Sequence, residues 1–167
     1  MKIKKNYDDV EISVKVENSE QVFSKYSYDN KDVLNKELSE YLWDNAKLVP
    51  SHKNLQLKFF AKCPLDRTEV SSAIKSHYKR EMIETKDEIR KANKFSFITI
   101  ILGLISLAIL FILYKKFDNY FIVTVLDITA WVFVWEAVDV FFLRRAELKQ
   151  RYKRYNKLYS SKIKIIE

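Results

Sequence analysis

The sequence is poor in the residues from which most metal and small-molecule sites are built. It contains one glycine, one cysteine and two histidines among 167 residues. A glycine-rich phosphate loop is excluded, because Gly103 is the only glycine. Cys63 has no partner for an intrachain disulfide, and Cys63, His52 and His77 lack metal-ligand spacing. We therefore expect no cofactor, no metal site and no catalytic residues, and a reducing cytoplasm suits the cysteine usage.

Proline is also scarce, with only Pro50 and Pro64, both in the first part of the chain. Asp66 and Glu69 have the spacing of a capping box, which opens a helix. No proline or glycine follows until Gly103, so this helix is predicted to run without interruption into the first long apolar segment.

Two long apolar runs dominate the second half of the sequence. The first, Phe95 to Tyr114, carries no charge, and about 20 such residues cross a hydrocarbon core of about 30 Å. The second, Phe121 to Leu143, is long enough to cross but contains three acidic residues. Only residues 115–120 join the runs, so the two helices are predicted to form an antiparallel hairpin.

Lys and Arg flank both runs on the same side of the hairpin. Residues 75–94 carry seven of them and residues 144–162 carry eight, against two in residues 115–120. Positive flanks tend to stay in the cytoplasm, so both termini are expected there, with the hairpin in a bacterial-type inner (plasma) membrane. The charged N-terminal residues show no apolar signal-peptide region, so the first span is expected to direct insertion.

A small cytoplasmic α+β domain of β-β-α-β order is predicted before the membrane segment. Asp9 to Val16 alternates apolar and polar residues as a half-buried strand does, and Leu55 to Ala61 does the same. Gln21 to Tyr28 is predicted as a further strand, although its aromatic residues alternate poorly. A helix over Lys31 to Ala46, capped by Asn30, is predicted from apolar residues at helical spacing.

A last short strand, Lys162 to Ile166, must pair with the N-terminal sheet to be stable. The chain is thus expected to leave its domain, cross the membrane twice and return, with the two helical extensions packed as an antiparallel pair. The predicted divisions are a cytoplasmic domain (1–65), a helical stalk (66–94), a first transmembrane helix (95–114), an extracytoplasmic loop (115–120), a second transmembrane helix (121–143), a basic stalk helix (144–160) and the C-terminal strand (161–167).

The acidic residues of the second run, Asp127, Glu136 and Asp139, form the strongest candidate site. A carboxylate at the bilayer centre costs roughly 2.5–3.5 kcal/mol on insertion scales, so it faces protein or water and often marks a pathway. Asp127 and Asp139 share an i,i+4 ridge with two tryptophans, and Glu136 lies beside its cytoplasmic end.

Two interpretations of these acids stay open at this stage. In the structural one, the small face of the first span packs on the second, and its hydroxyls donate to the carboxyls, or the carboxyls are protonated. That face consists of Thr99, Gly103 and Ser106. In the functional one, Asp127 or Glu136 serves a polar pathway.

The basic segment after the second run is expected to contact anionic lipid headgroups or a partner, mainly through Arg144, Arg145, Lys149 and Arg151. A nucleic-acid site built from these cations and the nearby tyrosines is less favoured. Tyr152, Tyr155 and Tyr159 recur at helical packing spacing, and cations beside a span are required by topology alone.

Two helices cannot enclose a pore, so a conducting role requires several copies of the chain. The sequence favours a homo-oligomeric channel, pore or membrane-perturbing effector controlled by its cytoplasmic domain. In outline this organisation is similar to the small two-span effectors of bacterial anti-phage defence, without a shared motif. The alternative is a membrane-anchored scaffold or regulatory subunit that binds a cytoplasmic partner protein and transports nothing.

Overall fold

The computed structural model describes residues 9–26, 33–50, 52–114 and 120–166. The protein is a mixed α+β chain, mostly helical, with one small sheet and two long apolar helices. It divides into two compact units, one of Met1–Glu84 with Arg151–Glu167 and one of Thr85–Gln150.

The sheet of the first unit has three parallel strands in the order β1 (Asp9–Val16), β2 (Asn54–Ala61) and β3 (Lys162–Ile166). Ile12 pairs with Leu57, and Leu57 pairs with Ile163. All three side chains are buried, because residues paired in register point to the same face of the sheet. The C-terminal strand therefore pairs with the N-terminal sheet, as its short length requires.

Helix α1 (Lys36–Lys47) connects β1 to β2. It begins later than the predicted start at Lys31, and its cap is Asn35; Asn30 lies outside the described residues. Asn35 Oδ1 accepts a hydrogen bond from the Glu37 N–H at 2.8 Å, and Asn35 Nδ2 donates to the Glu20 carbonyl oxygen at 2.8 Å. This second bond connects the cap residue to the segment after β1. Such a contact between distant residues cannot be predicted from the local sequence around the cap.

The predicted strand over Gln21 to Tyr28 is wrong for the residues that the structure describes. Ser19–Gln21 forms a 3-10 turn capped by Asn18, and the only pairing nearby is a single antiparallel bridge between Phe23 and Leu34. Val22 and Phe23 are adjacent and both buried, whereas a strand would place them on opposite faces.

The N-terminal turns of helix α2 (Arg67–Tyr114) and the C-terminal turns of helix α4 (Arg145–Tyr159) pack in the core of the first unit. Asp66 caps α2 as predicted, since its Oδ1 accepts from the Thr68 N–H at 2.8 Å. Tyr78 is almost fully buried and its hydroxyl donates to the Ser39 carbonyl oxygen at 3.0 Å. Burial raises the pKa of Tyr78 well above its usual value, so this hydroxyl stays protonated and keeps its donor role.

Replacing Tyr78 by phenylalanine is expected to lower the free energy of unfolding by about 1 kcal/mol. The ring still packs beside Tyr155, whose centroid is 6.0 Å away, but the Ser39 carbonyl loses its donor. Denaturant unfolding of the purified protein in detergent measures the change. Tyr26→Phe is the matched control, because Tyr26 is 87% exposed and should show no effect. Equal stability of both variants would contradict a structural role for the Tyr78 hydroxyl.

The second unit contains the C-terminal part of α2, helix α3 (Tyr120–Val138), a π-helical segment (Asp139–Arg144) and the start of α4. Both helical stretches are long and apolar enough to cross a membrane. In their most apolar windows only 17% and 11% of the residues are buried, whereas a core helix of a soluble protein is mostly buried.

Candidate functional site

Helices α2 and α3 pack through small residues that allow their backbones to approach closely. Ser96 Oγ on α2 donates to the Ala137 carbonyl oxygen on α3 at 3.3 Å. A Cβ atom placed on Gly103 would lie 3.4 Å from Val134 Cγ2 and 3.5 Å from Phe133 Cβ. Ser96 thus faces Ala137 and Gly103 faces Val134, which fixes an antiparallel register for this pair of helices.

The predicted packing residues of α2 take different positions. Thr99 and Gly103 are buried, whereas Ser106 is half-exposed. Thr99 Oγ1 lies 2.9 Å from the Ser96 carbonyl oxygen and 3.2 Å from the Phe95 carbonyl oxygen, and Ser106 Oγ lies 2.9 Å from the Leu102 carbonyl oxygen. Each hydroxyl has one proton, so both donate within α2 and not to a carboxyl group of α3.

Sequence reasoning missed Ser96, which makes the hydrogen bond between the helices. Ala92, Ser96, Thr99 and Gly103 are all buried and follow a spacing of four, three and four residues. Extending the Thr99–Gly103 pattern toward the N-terminus would have identified Ser96, and with it the register against α3.

Gly103 gives a direct test of this packing. Gly103→Ala is expected to change stability by less than about 1 kcal/mol, because the added Cβ meets ordinary van der Waals distances. Gly103→Leu should destabilise by about 1–3 kcal/mol, since the larger side chain must enter the space held by Val134. Thermal unfolding followed by tryptophan fluorescence in detergent compares the two variants. Equal midpoints for alanine and leucine would show that α2 and α3 do not touch at Gly103.

Asp127, Glu136 and Asp139 are all exposed. Ala130, three residues after Asp127, and Ala137, next to Glu136, are buried. No ion pair or hydrogen bond to any of these three carboxyls occurs among the described residues. A single hairpin therefore leaves all three acids without a protein partner in the part of the chain that the structure describes.

The three acids do not lie on one face of α3. Asp127 and Glu136 are nine residues apart, which is two and a half helical turns, or about 13.5 Å along the axis. The remaining half turn places the two acids on opposite flanks of α3. Trp131 and Trp135 lie between the flanks with 65% and 70% of their surface exposed, and each indole N–H is a hydrogen-bond donor.

An apolar groove of about 180 Å³ is formed by α2, the C-terminal part of α3 and the π-helical segment that follows. All its lining atoms are apolar. Residues of both helices form it, namely Ile100, Leu104, Val134, Ala137, Val138, Phe141 and Phe142. A surface of this kind suits acyl chains or the side chains of another membrane helix.

The π-helical segment begins at Asp139 and ends at Arg144. π-helical turns are rare, interrupt the regular α-helical ladder and are frequently found at functional sites. It lies where the apolar residues end and the basic residues of α4 begin. The interruption rotates α4 relative to the phase that a continuous α-helix would give, so the ridge containing Asp139 does not extend regularly into α4.

The predicted interfacial cations also differ in environment. Arg144 and Lys149 are exposed, whereas Arg145 and Arg151 are half-buried. The Arg145 guanidinium carbon lies 5.0 Å from the centroid of the Phe141 ring, a cation–π distance. Arg144 and Lys149 are therefore the more accessible of the four cations to a headgroup.

The chemistry available on this face is that of carboxyl groups and indole donors. No group of three or more His, Cys, Asp or Glu side chains that could hold a metal ion occurs in the described ranges. No protein-family model, curated protein or solved structure matches the chain.

Proposed function

We propose that this protein is a homo-oligomeric membrane channel or pore-forming effector, in which several hairpins turn the acidic side of α3 toward a shared polar pathway. One observation carries this proposal: Asp127, Glu136 and Asp139 are all exposed on a single hairpin. In a bilayer an isolated hairpin would expose these carboxyls to lipid, whereas an assembly covers them with protein or water.

The apolar surfaces support a location in a membrane. The exposed apolar residues of α2 and α3 extend along both helices, and a soluble monomer rarely exposes so large an apolar patch. In this proposal both termini lie in the cytoplasm, which the positive flanks favour, and Arg144 and Lys149 are accessible to headgroups.

The register between α2 and α3 assigns a depth to each acid. Because Ser96 faces Ala137, Glu136 lies about level with Phe97, within one turn of Lys94. Asp139 lies still closer to the cytoplasmic surface. Asp127 lies opposite Ser106 to Leu110, inside the uncharged run, so it is the one deep carboxyl. The role in conduction therefore belongs first to Asp127.

Rings of carboxylates favour cations over anions in a pore. In this proposal Asp127 lines the constriction of the pathway, whereas Glu136 and Asp139 lie toward its cytoplasmic end. The cytoplasmic sheet controls the assembly in this proposal, since both helices of the hairpin are continuous in sequence with helices that pack on that sheet.

The proposal is tested by stoichiometry and by flux. Purified full-length protein in nanodiscs should show one defined number of copies, three or more, by native mass spectrometry. Reconstituted in liposomes, it should release potassium faster than chloride. A monomer in nanodiscs, or oligomers without flux under any condition, would overturn the channel proposal.

The alternative, a membrane-anchored scaffold, is favoured by a separate observation on the sheet. Phe60 and Ile166 are register partners on the face opposite the core and are 44% and 39% exposed. Such an apolar pair amid polar residues suits a protein partner. For a scaffold, Phe60→Ser should abolish partner recruitment, and neutralising Asp127 should change nothing.

A further inference from the structure

A cationic trough lies along the edge of the sheet formed by β3. The strand order makes β3 an edge strand among the described residues, and the first turns of α2 lie next to it. Arg67, Ser71 and Lys75 recur every four residues, so they share one ridge of α2. This ridge faces the segment that contains the end of α4 and the whole of β3.

Two cavities make up the trough, and they share Arg67. One, of about 450 Å³, contains Lys164 and Ile166; the other, of about 370 Å³, contains Ser71, Lys75 and Lys162. Each lies within the size range of small-molecule sites, which is about 300–1,000 Å³. The trough belongs entirely to the first unit and is separate from the acidic face of α3.

The lining is strongly cationic. Four of the lining side chains are cations, and none of the lining residues in the described ranges is acidic; the cations are Arg67, Lys75, Lys162 and Lys164. Three serines also line the trough. The hydroxyls of Ser160 and Ser161 donate to carbonyl oxygens of α4, whereas the Ser71 hydroxyl lies on the α2 ridge between Arg67 and Lys75. Four cations in adjacent cavities repel one another, and an anion between them removes that cost.

We propose that this trough binds a small phosphate-bearing anion. Phosphate oxygens accept charge-assisted hydrogen bonds from Arg and Lys, and two adjacent cavities fit a ligand with two phosphoryl groups or one phosphoryl group and a further moiety. An extended acidic peptide adding to β3 is the competing occupant. Lys162 and Lys164 disfavour it, because lysines on an edge strand act against strand pairing.

Inorganic pyrophosphate and ATP are the probes, titrated calorimetrically into the full-length protein in nanodiscs at low and physiological salt. Saturable binding is expected, with Lys75→Gln and Lys162→Gln each weakening it about tenfold. Lys153→Gln is the matched control, because it removes one exposed charge from α4 outside the trough and should change affinity less than twofold.

In the absence of ligand, the variants should unfold at the wild-type temperature, because the Lys75 and Lys162 side chains are both exposed. Bound pyrophosphate should raise the unfolding temperature of the wild type and of Lys153→Gln but not of the double variant Lys75→Gln/Lys162→Gln. Equal affinity of wild type and double variant would overturn the proposal. It also fails if a glutamate-rich peptide binds and pyrophosphate does not. These outcomes do not depend on whether the hairpin conducts ions.

Discussion

Replacing Asp127 by asparagine is expected to reduce cation flux in liposomes about tenfold or more, while the number of copies and the unfolding temperature stay unchanged. Asparagine keeps the shape of aspartate and removes only the ionisable group. In the proposed pore Asp127 is the deep carboxyl, opposite Ser106 to Leu110, where a charge interacts more strongly with a permeating ion than at the water-exposed ends. Flux is measured by potassium release, and the number of copies by native mass spectrometry.

Glu136→Gln is the matched comparison, because it removes the same charge from the same helix. In the proposed orientation Glu136 lies level with Phe97, near the cytoplasmic end of the hairpin, where water screens its charge, so its neutralisation should reduce flux only about twofold to threefold. The prediction is therefore that Asp127→Asn reduces flux more than Glu136→Gln does. If both variants conduct like the wild type, the acids do not act on the permeating ion, and the role proposed for Asp127 is wrong.

Several elements were predictable from sequence because short-range pattern and tertiary structure agree in them. The alternation of β1 matches its burial residue by residue, and the Asp66 cap and β3 lie where their local signals place them. The start of α1 was not predictable in this way. Asn30 and Asn35 are both good caps, and a contact to Glu20, fifteen residues away in sequence, accompanies the choice of Asn35.

The candidate site shows the same limit. The sequence places Asp127, Trp131, Trp135 and Asp139 on one ridge but does not say which way the ridge faces. The packing of α2 decides this, since Gly103 meets Val134 and Ser96 meets Ala137, and the four ridge residues stay exposed. The π-helical segment has no sequence signature of comparable strength, since neither proline nor glycine marks it.

Replacing Ile163 by aspartate is expected to unfold the first unit. Ile163 on β3 is 4% exposed and pairs with Leu57 on the central strand β2. An unpaired carboxylate buried there should cost about 4 kcal/mol or more, against a total stability of about 5–15 kcal/mol for a typical domain. The sheet then loses β3, and the two strands that remain are only marginally stable.

Lys164→Asp is the control within the same strand, because residue 164 directly follows Ile163, is exposed and lies on the opposite face of the strand. Protease digestion of both variants in nanodiscs gives the measurement: rapid cleavage of residues 1–84 is expected for Ile163→Asp, and wild-type resistance for Lys164→Asp. Helix α2 joins this sheet to Ser96 and Gly103 without a break in its hydrogen-bonded ladder. A membrane hairpin that still assembled and conducted in Ile163→Asp would show that the pore works without its domain, and control by the sheet would have to be abandoned.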